Sequence, residues 1–307
     1  MKRFDLQLFG EGNNNDRGVR QYQKEFKELL EAVFGVDAYF KDFFVGDTIE
    51  ALDGVEHNKT AFAVKTSDIP VVINTYNTDE NTGFGTGTGS TSRFGQRKEI
   101  IYQDKDVDYK WEWNYHEGLD RATVNNDLES AIADRLELQA QAKVGQFNAK
   151  HGKFISDSAA KSIAGGAKIT KDNVGEVFAQ LSAYFTNAKV RKELVKVAKV
   201  TPDVYNAIID SGLAVTSKNS TVNVDDNAVI KFKGFVIEEI PADMFQTKEV
   251  VYAYVKNIAK AFTGINTART IESEDFDGVA LQGHGKAGEY ITADNKKAVA
   301  KVTVTGA

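Results

Sequence analysis

Apolar residues recur along this chain with two different periods, and the switches between them mark its elements. Tyr22, Phe26, Leu29, Leu30, Val33 and Phe34 stand at i, i+4, i+7, i+8, i+11 and i+12, one face of a helix that begins near Arg20. Gly35 occupies the position just past its predicted end. Residues 1–19 before it are polar and Asn/Gly-rich, which predicts an extended or mobile arm. Residues 60–73 (TAFAVKTSDIPVVI) read as a strand with Pro70 as an edge or bulge marker. The Gly/Thr/Asn-rich stretch 75–95 is nearly devoid of aliphatic residues, so it predicts a mobile loop or hairpin tip. Val107, Tyr109, Trp111, Trp113 and Tyr115 then alternate with Asp106, Asp108, Lys110, Glu112 and Asn114, the sharpest period-2 signal in the chain. It predicts a half-buried strand within 98–117. Strand, tip and strand make one long β-arm with too little core to stand alone. Such an arm must lie on its own body or on a neighbour.

Beyond the arm, Asn126 or Asp127 can cap a long helix from Leu128 to Lys150, marked by Ile132, Leu136, Val144 and Phe147. Val174, Val177, Phe178, Leu181, Tyr184 and Phe185 mark a second. Residues 194–200 read as a strand, after which Thr201 caps a helix with Pro202 at its first position and Gly212 beyond its end. Residues 229–240 predict a strand bent at Gly234. Residues 250–258 are apolar on both faces and belong in the middle of a sheet. A Gly-punctuated stretch and a last strand near 298–304 close an α+β chain without internal repeats.

Composition narrows the function. The 307 residues, 42% apolar and 27% charged, suffice for a real core in one elaborated domain or two intimate ones. A net charge of −6 opposes unspecific DNA binding, which draws on Lys and Arg. With no cysteine, disulfides, zinc–thiolate sites and cysteine nucleophiles are excluded. The opening KRFDLQLFG lacks an apolar signal-peptide region, and no apolar run approaches the roughly 18 residues that cross a bilayer. The expectation is a soluble protein made in a cytoplasm.

The chemical motifs are weak. Gly283-His284-Gly285-Lys286-Ala287-Gly288 matches GxGxxG, but no βαβ unit can follow it, so a surface turn is expected. No GxxxxGK[ST], HExxH or GxSxG occurs. Asp104, Asp106 and Asp108 lack the glycine that a calcium loop needs and fit the wet face of a strand. His57, His116, His151 and His284 are scattered. Trp111 and Trp113 share a strand face and suit packing, in a core or at an interface.

The order of elements resembles the major capsid proteins of tailed bacteriophages with the Hong Kong 97-type fold. KVRKELVKVAKVTPDVYNAIIDSG (189–212) looks like the strand–Thr–Pro–helix entry of their axial domain. AFTGINTARTIESEDFDGVALQGHGKAGEYI (261–291) looks like the C-terminal return in capsid proteins of phages infecting Gram-positive bacteria. The resemblance implies an N-terminal arm over 1–48 and an extended β-hairpin loop over 49–115. It also implies a peripheral domain with a spine helix over 116–170 plus 265–307, and an axial domain over 171–264. It implies a subunit that joins copies of itself in pentamers and hexamers of an icosahedral shell around double-stranded DNA. No catalysis, cofactor, metal or membrane contact is expected. A polar start of 19 residues is too short for a built-in scaffold, so a separate scaffolding protein is expected, with a portal. Some relatives join a loop lysine to an asparagine; 75–95 holds no lysine, and no such cross-link is expected. The assembly interface is expected at Phe84, Arg93, Phe94, Arg97, Trp111, Trp113, Tyr22 and Phe26. The alternatives are a decoration or tail protein, recognisable as a ring or tube, and a cytoplasmic nucleotide-binding enzyme, which would need a pocket at Gly283–Gly288.

Overall fold

The structure, a computed structural model, describes residues 20–52, 59–67, 71, 73–80, 82–83, 92–95, 97–124, 127–211 and 230–306. Pro70, Phe84, Asn126, Gly212, His57 and the segment 1–19 lie outside them. In chain order the elements are β1 (Arg20–Gln21), α1 (Gln23–Asp37), β2 (Phe44–Leu52), β3 (Thr60–Thr66), β4 (Gln103–Asp108) and β5 (Trp111–Asp120). Then come α2 (Leu128–Ser158), β6 (Lys161–Ala164), α3 (Val174–Asn187), β7 (Lys196–Val200), α4 (Pro202–Asp210), β8 (Ile230–Phe232) and β9 (Phe235–Glu239). The chain closes with β10 (Glu249–Val255), β11 (Ala259–Glu272), β12 (Gly278–Ile291) and β13 (Val299–Thr303).

The chain divides into two compact units, His57–Asp108 and a body made of Met1–Glu56 with Tyr109–Ala307. In the body, one sheet runs β1-β11-β12-β5, with β2 also on β11, and a six-stranded sheet runs β6-β13-β10-β7-β9-β8. Period 2 explains how the second sheet serves two cores. Tyr252 and Tyr254 of β10, Val197 of β7 and Val299 of β13 face a core shared with α1, α2 and the first sheet. Val251, Ala253, Ala198, Val200, Ala300 and Val302 face a second core under α3 and α4. The predicted central strand is β10, hydrogen-bonded on both sides.

Several expectations are corrected. Gly35 does not end α1, which runs on to Asp37. Its φ is not positive, and Lys41 Nζ donates to its carbonyl at 2.6 Å, so the end of the helix is satisfied without a left-handed glycine. The strand expected within 98–117 is two strands, β4 paired with β3 and β5 paired with β12, because alternation reports a wet face but no partner. The strand expected over 60–73 is described as far as Thr66, and that over 194–200 begins at Lys196. Helix α2 starts where expected, with Asp127 accepting from Ser130 N at 3.3 Å, but runs to Ser158 rather than Lys150. Its last turns are buried through His151, Gly152, Ile155 and Ser156, mostly polar or small residues that apolar periodicity passes over. Gly152 is needed there, since a β-carbon would overlap the Met244 carbonyl. Thr201 sits at the start of α4, but its hydroxyl makes no capping bond and is buried without a hydrogen-bond partner. Pro202 has no N–H to satisfy at that end. Gly234 is not a bend within one strand. Lys233 (φ 49) and Gly234 (φ 90) form a two-residue hairpin turn between β8 and β9.

Candidate assembly surface

The smaller unit is built on a two-stranded antiparallel sheet in which Thr60 pairs with Asp108 and Thr66 with Gln103. Thr60 Oγ1 donates to Asp108 at 3.1 Å, and Lys59 pairs with the same carboxylate at 3.1 Å. The Lys59 contact holds the Asp108 pKa below the usual carboxylate range. Asp104 and Asp106 are exposed on β4, on the wet side that the sequence implied. Val107 is buried.

Away from the strands this unit presents apolar side chains to solvent. Seven of the fourteen large apolar side chains exposed among the described residues are here: Val71, Ile73, Tyr76, Phe94, Ile100, Ile101 and Tyr102. Ile73 is 92% exposed, Val71 87% and Phe94 78%. Two stretches approach each other: Asn77 N donates to Arg93 O at 2.9 Å, and the Tyr76 and Phe94 rings meet edge to face at 5.1 Å. Arg93 Nε donates to Thr82 O at 2.9 Å and braces this approach. Arg97 is exposed. Of the expected interface residues, then, Phe94 and Arg97 stand at the surface and Arg93 is half-buried, while Phe84 lies outside the described residues. Val71, Ile73 and the run Ile100-Ile101-Tyr102 carry no mark of exposure in the sequence, because they lie in stretches that predict strands, where apolar residues need no other explanation.

The other four expected residues are in the body. Phe26 is fully buried against Trp113 (5.9 Å) and Tyr115 (5.7 Å), and Tyr22 is buried beside it in the same core. Trp113 Nε1 donates to Thr263 Oγ1 at 3.4 Å, and Trp111 Nε1 to Glu289 Oε1 at 3.2 Å. Trp111 is half-buried against Phe147, its ring 5.1 Å away. Glu289 is buried, which raises its pKa above the carboxylate range. His151 lies 3.8 Å from it among Phe34, Phe44 and Phe147, and burial lowers its pKa to about 3, so it is neutral.

The GHGKAG segment is neither the expected turn nor a helix start. It lies inside β12, where Gly283 faces Tyr115 and Gly285 faces Trp113 across the strand pair. A β-carbon at either glycine would overlap the partner's ring. The glycines let the two aromatic rings lie flat over β12, an aromatic-on-glycine pairing. Among the described residues no three His, Cys, Asp or Glu side chains gather as a metal site.

A long helix, two sheets sharing a core, and a separate hairpin unit make up the Hong Kong 97-type fold of phage capsid proteins, and this chain has that fold. The capsid of Cyanophage P-SCSP1u matches with a TM-score of 0.62 and 9% identity, over 100% of this chain and 93% of that one. A structure from Mycobacterium phage Che8 matches at 0.58 and 15% identity, over 100% of both chains. The bacteriophage PhiM1 mature capsid matches at 0.56 and 10%, over 88% of each. No protein-family profile and no curated protein matches the sequence.

Proposed function

We propose that the chain is the major capsid protein of a tailed bacteriophage, a subunit that assembles with its own copies into pentamers and hexamers of an icosahedral shell around double-stranded DNA. The observation that carries this reading is the His57–Asp108 unit. A two-stranded sheet has too little core to hold itself, yet seven large apolar side chains of this unit lie open to water. Taking a fully exposed Val, Ile or Phe side chain out of water contributes about 1.5–3 kcal/mol. Another copy of the chain supplies the cover in a shell, and the shared fold with capsid subunits supplies the geometry. Many modest contacts per subunit, made at once, give a strong container, and heterologous contacts close into rings.

In this reading 1–48 is the arm, 49–115 the extended loop, 116–170 with 265–307 the peripheral domain and 171–264 the axial domain. Phe84, Arg93, Phe94 and Arg97 belong to the loop's contact surface. The subunit is made in the bacterial host's cytoplasm, works in the virion without cofactor or catalysis, and is served by a separate scaffolding protein and a portal. The triple variant Ile73→Ser/Ile100→Ser/Ile101→Ser tests it. Its melting temperature as a single chain should match the wild type, while particles vanish from electron micrographs. Particles of normal yield from this variant would sink the reading of that surface.

A further inference from the structure

We propose that Lys199 and Asp42 condense into an isopeptide bond within the chain, with Glu238 as the proton carrier. Lys199, on β7, has a side chain only 3% exposed, and Asp42, in the turn between α1 and β2, one 6% exposed. Lys199 Nζ lies 3.3 Å from Asp42 Oδ1 and is hydrogen-bonded to Glu238 Oε2 on the paired strand β9. The Tyr254 hydroxyl donates to Asp42 Oδ1 at 2.8 Å. Burial pushes the Tyr254 pKa well up, so the hydroxyl keeps its proton as a donor. Asp42 Oδ2 is buried without a hydrogen bond and has Lys256 Nζ at 3.8 Å. A buried amine, a buried carboxyl in contact with it, an acid–base group on the amine and a donor on the carboxyl oxygen are the parts that amide formation needs.

Two physical terms favour the step. Burying an ammonium and a carboxylate costs several kcal/mol per ion, and condensation removes both charges from the interior. Reacting groups held in contact inside a packed interior gain a large effective concentration. Glu238 takes a proton from the Lys199 ammonium, and the freed amine adds to Asp42 Cγ. Tyr254 holds the charge that develops on Oδ1. The Nζ–Cγ bond forms and the Cγ–Oδ2 bond breaks. Glu238 hands its proton on to Oδ2 and the second proton follows from Nζ, so Oδ2 leaves as one water beside Lys256 and Glu238 is returned to its starting form. Glu238, 36% exposed, opens the cluster to solvent and gives that water an exit. No oxidant or cofactor enters. The bond would staple the turn after α1 to the six-stranded sheet in a chain that has no cysteine.

The test is the intact mass of the full chain in denaturant, for fresh protein and for assembled particles, with tryptic mapping. The expected result is a mass one water below that of the sequence, a linked peptide pair joining Lys199 to Asp42, and the full mass in Lys199→Arg and in Glu238→Gln. The full sequence mass in wild type in both states overturns the proposal. So does a deficit that persists in Lys199→Arg, which would mark a succinimide at a site such as Asp277-Gly278. The inference is independent of the shell reading, since the mass is read on one chain.

Discussion

Single residues carry much of the fold's definition. Gly285 has no room for a β-carbon beneath the Trp113 ring. Gly285→Ala should therefore destabilise the body by about 1–3 kcal/mol, as overpacking does, measured by denaturant unfolding. His151 sets an acid limit. Its folded pKa of about 3 lies below the ordinary 6.5, so between these values the unfolded chain binds the extra proton. Stability is then lost as pH falls through that window. His151→Leu should remove this part of the acid loss, visible as a shallower fall in unfolding free energy below about pH 6.5. Glu289 acts with the opposite sign. Its folded pKa is raised, so the folded chain holds the extra proton and stability falls as pH rises above the carboxylate range. Glu289→Gln keeps an acceptor for Trp111 Nε1 and should melt higher than wild type at neutral pH. None of this was readable in the sequence. The role of a glycine at 285 is set by Trp113 on another strand, and His151 carries no local mark of burial.

Elements were more legible than their limits. The helical spacing of Phe26, Leu30 and Phe34, and of Val177, Phe178, Leu181 and Phe185, placed α1 and α3, because their buried faces are apolar throughout. Helix α2 overran its expected end where buried polar side chains replaced apolar ones, among them Ser156, which donates to Glu249 at 2.8 Å. Glu249 is also held by Lys301 at 2.7 Å and by Tyr252 at 2.6 Å. Lys301→Met should cost about 3 kcal/mol in thermal or denaturant unfolding, because it leaves that buried carboxylate without its cation. The alternation of Val107, Trp111 and Trp113 gave the right faces but joined β4 and β5 into one strand. Partners of a strand are non-local, and period 2 does not encode them. The apolar run at 100–102 was legible as apolar, but its exposure was not.

At the scale of the whole molecule, each face of the six-stranded sheet is spent on a core of the same chain. Half of the large apolar side chains left exposed among the described residues lie in the much smaller His57–Asp108 unit. A well-packed body and a dense unmet apolar surface on the small unit are what an assembling subunit needs. Sedimentation velocity of the purified wild-type chain, with electron microscopy of its fastest species and with scaffolding protein supplied by co-expression, tests this most directly. The shell reading expects closed particles built of pentamers and hexamers. A 33.8 kDa monomer at every concentration, with and without scaffold, would contradict it.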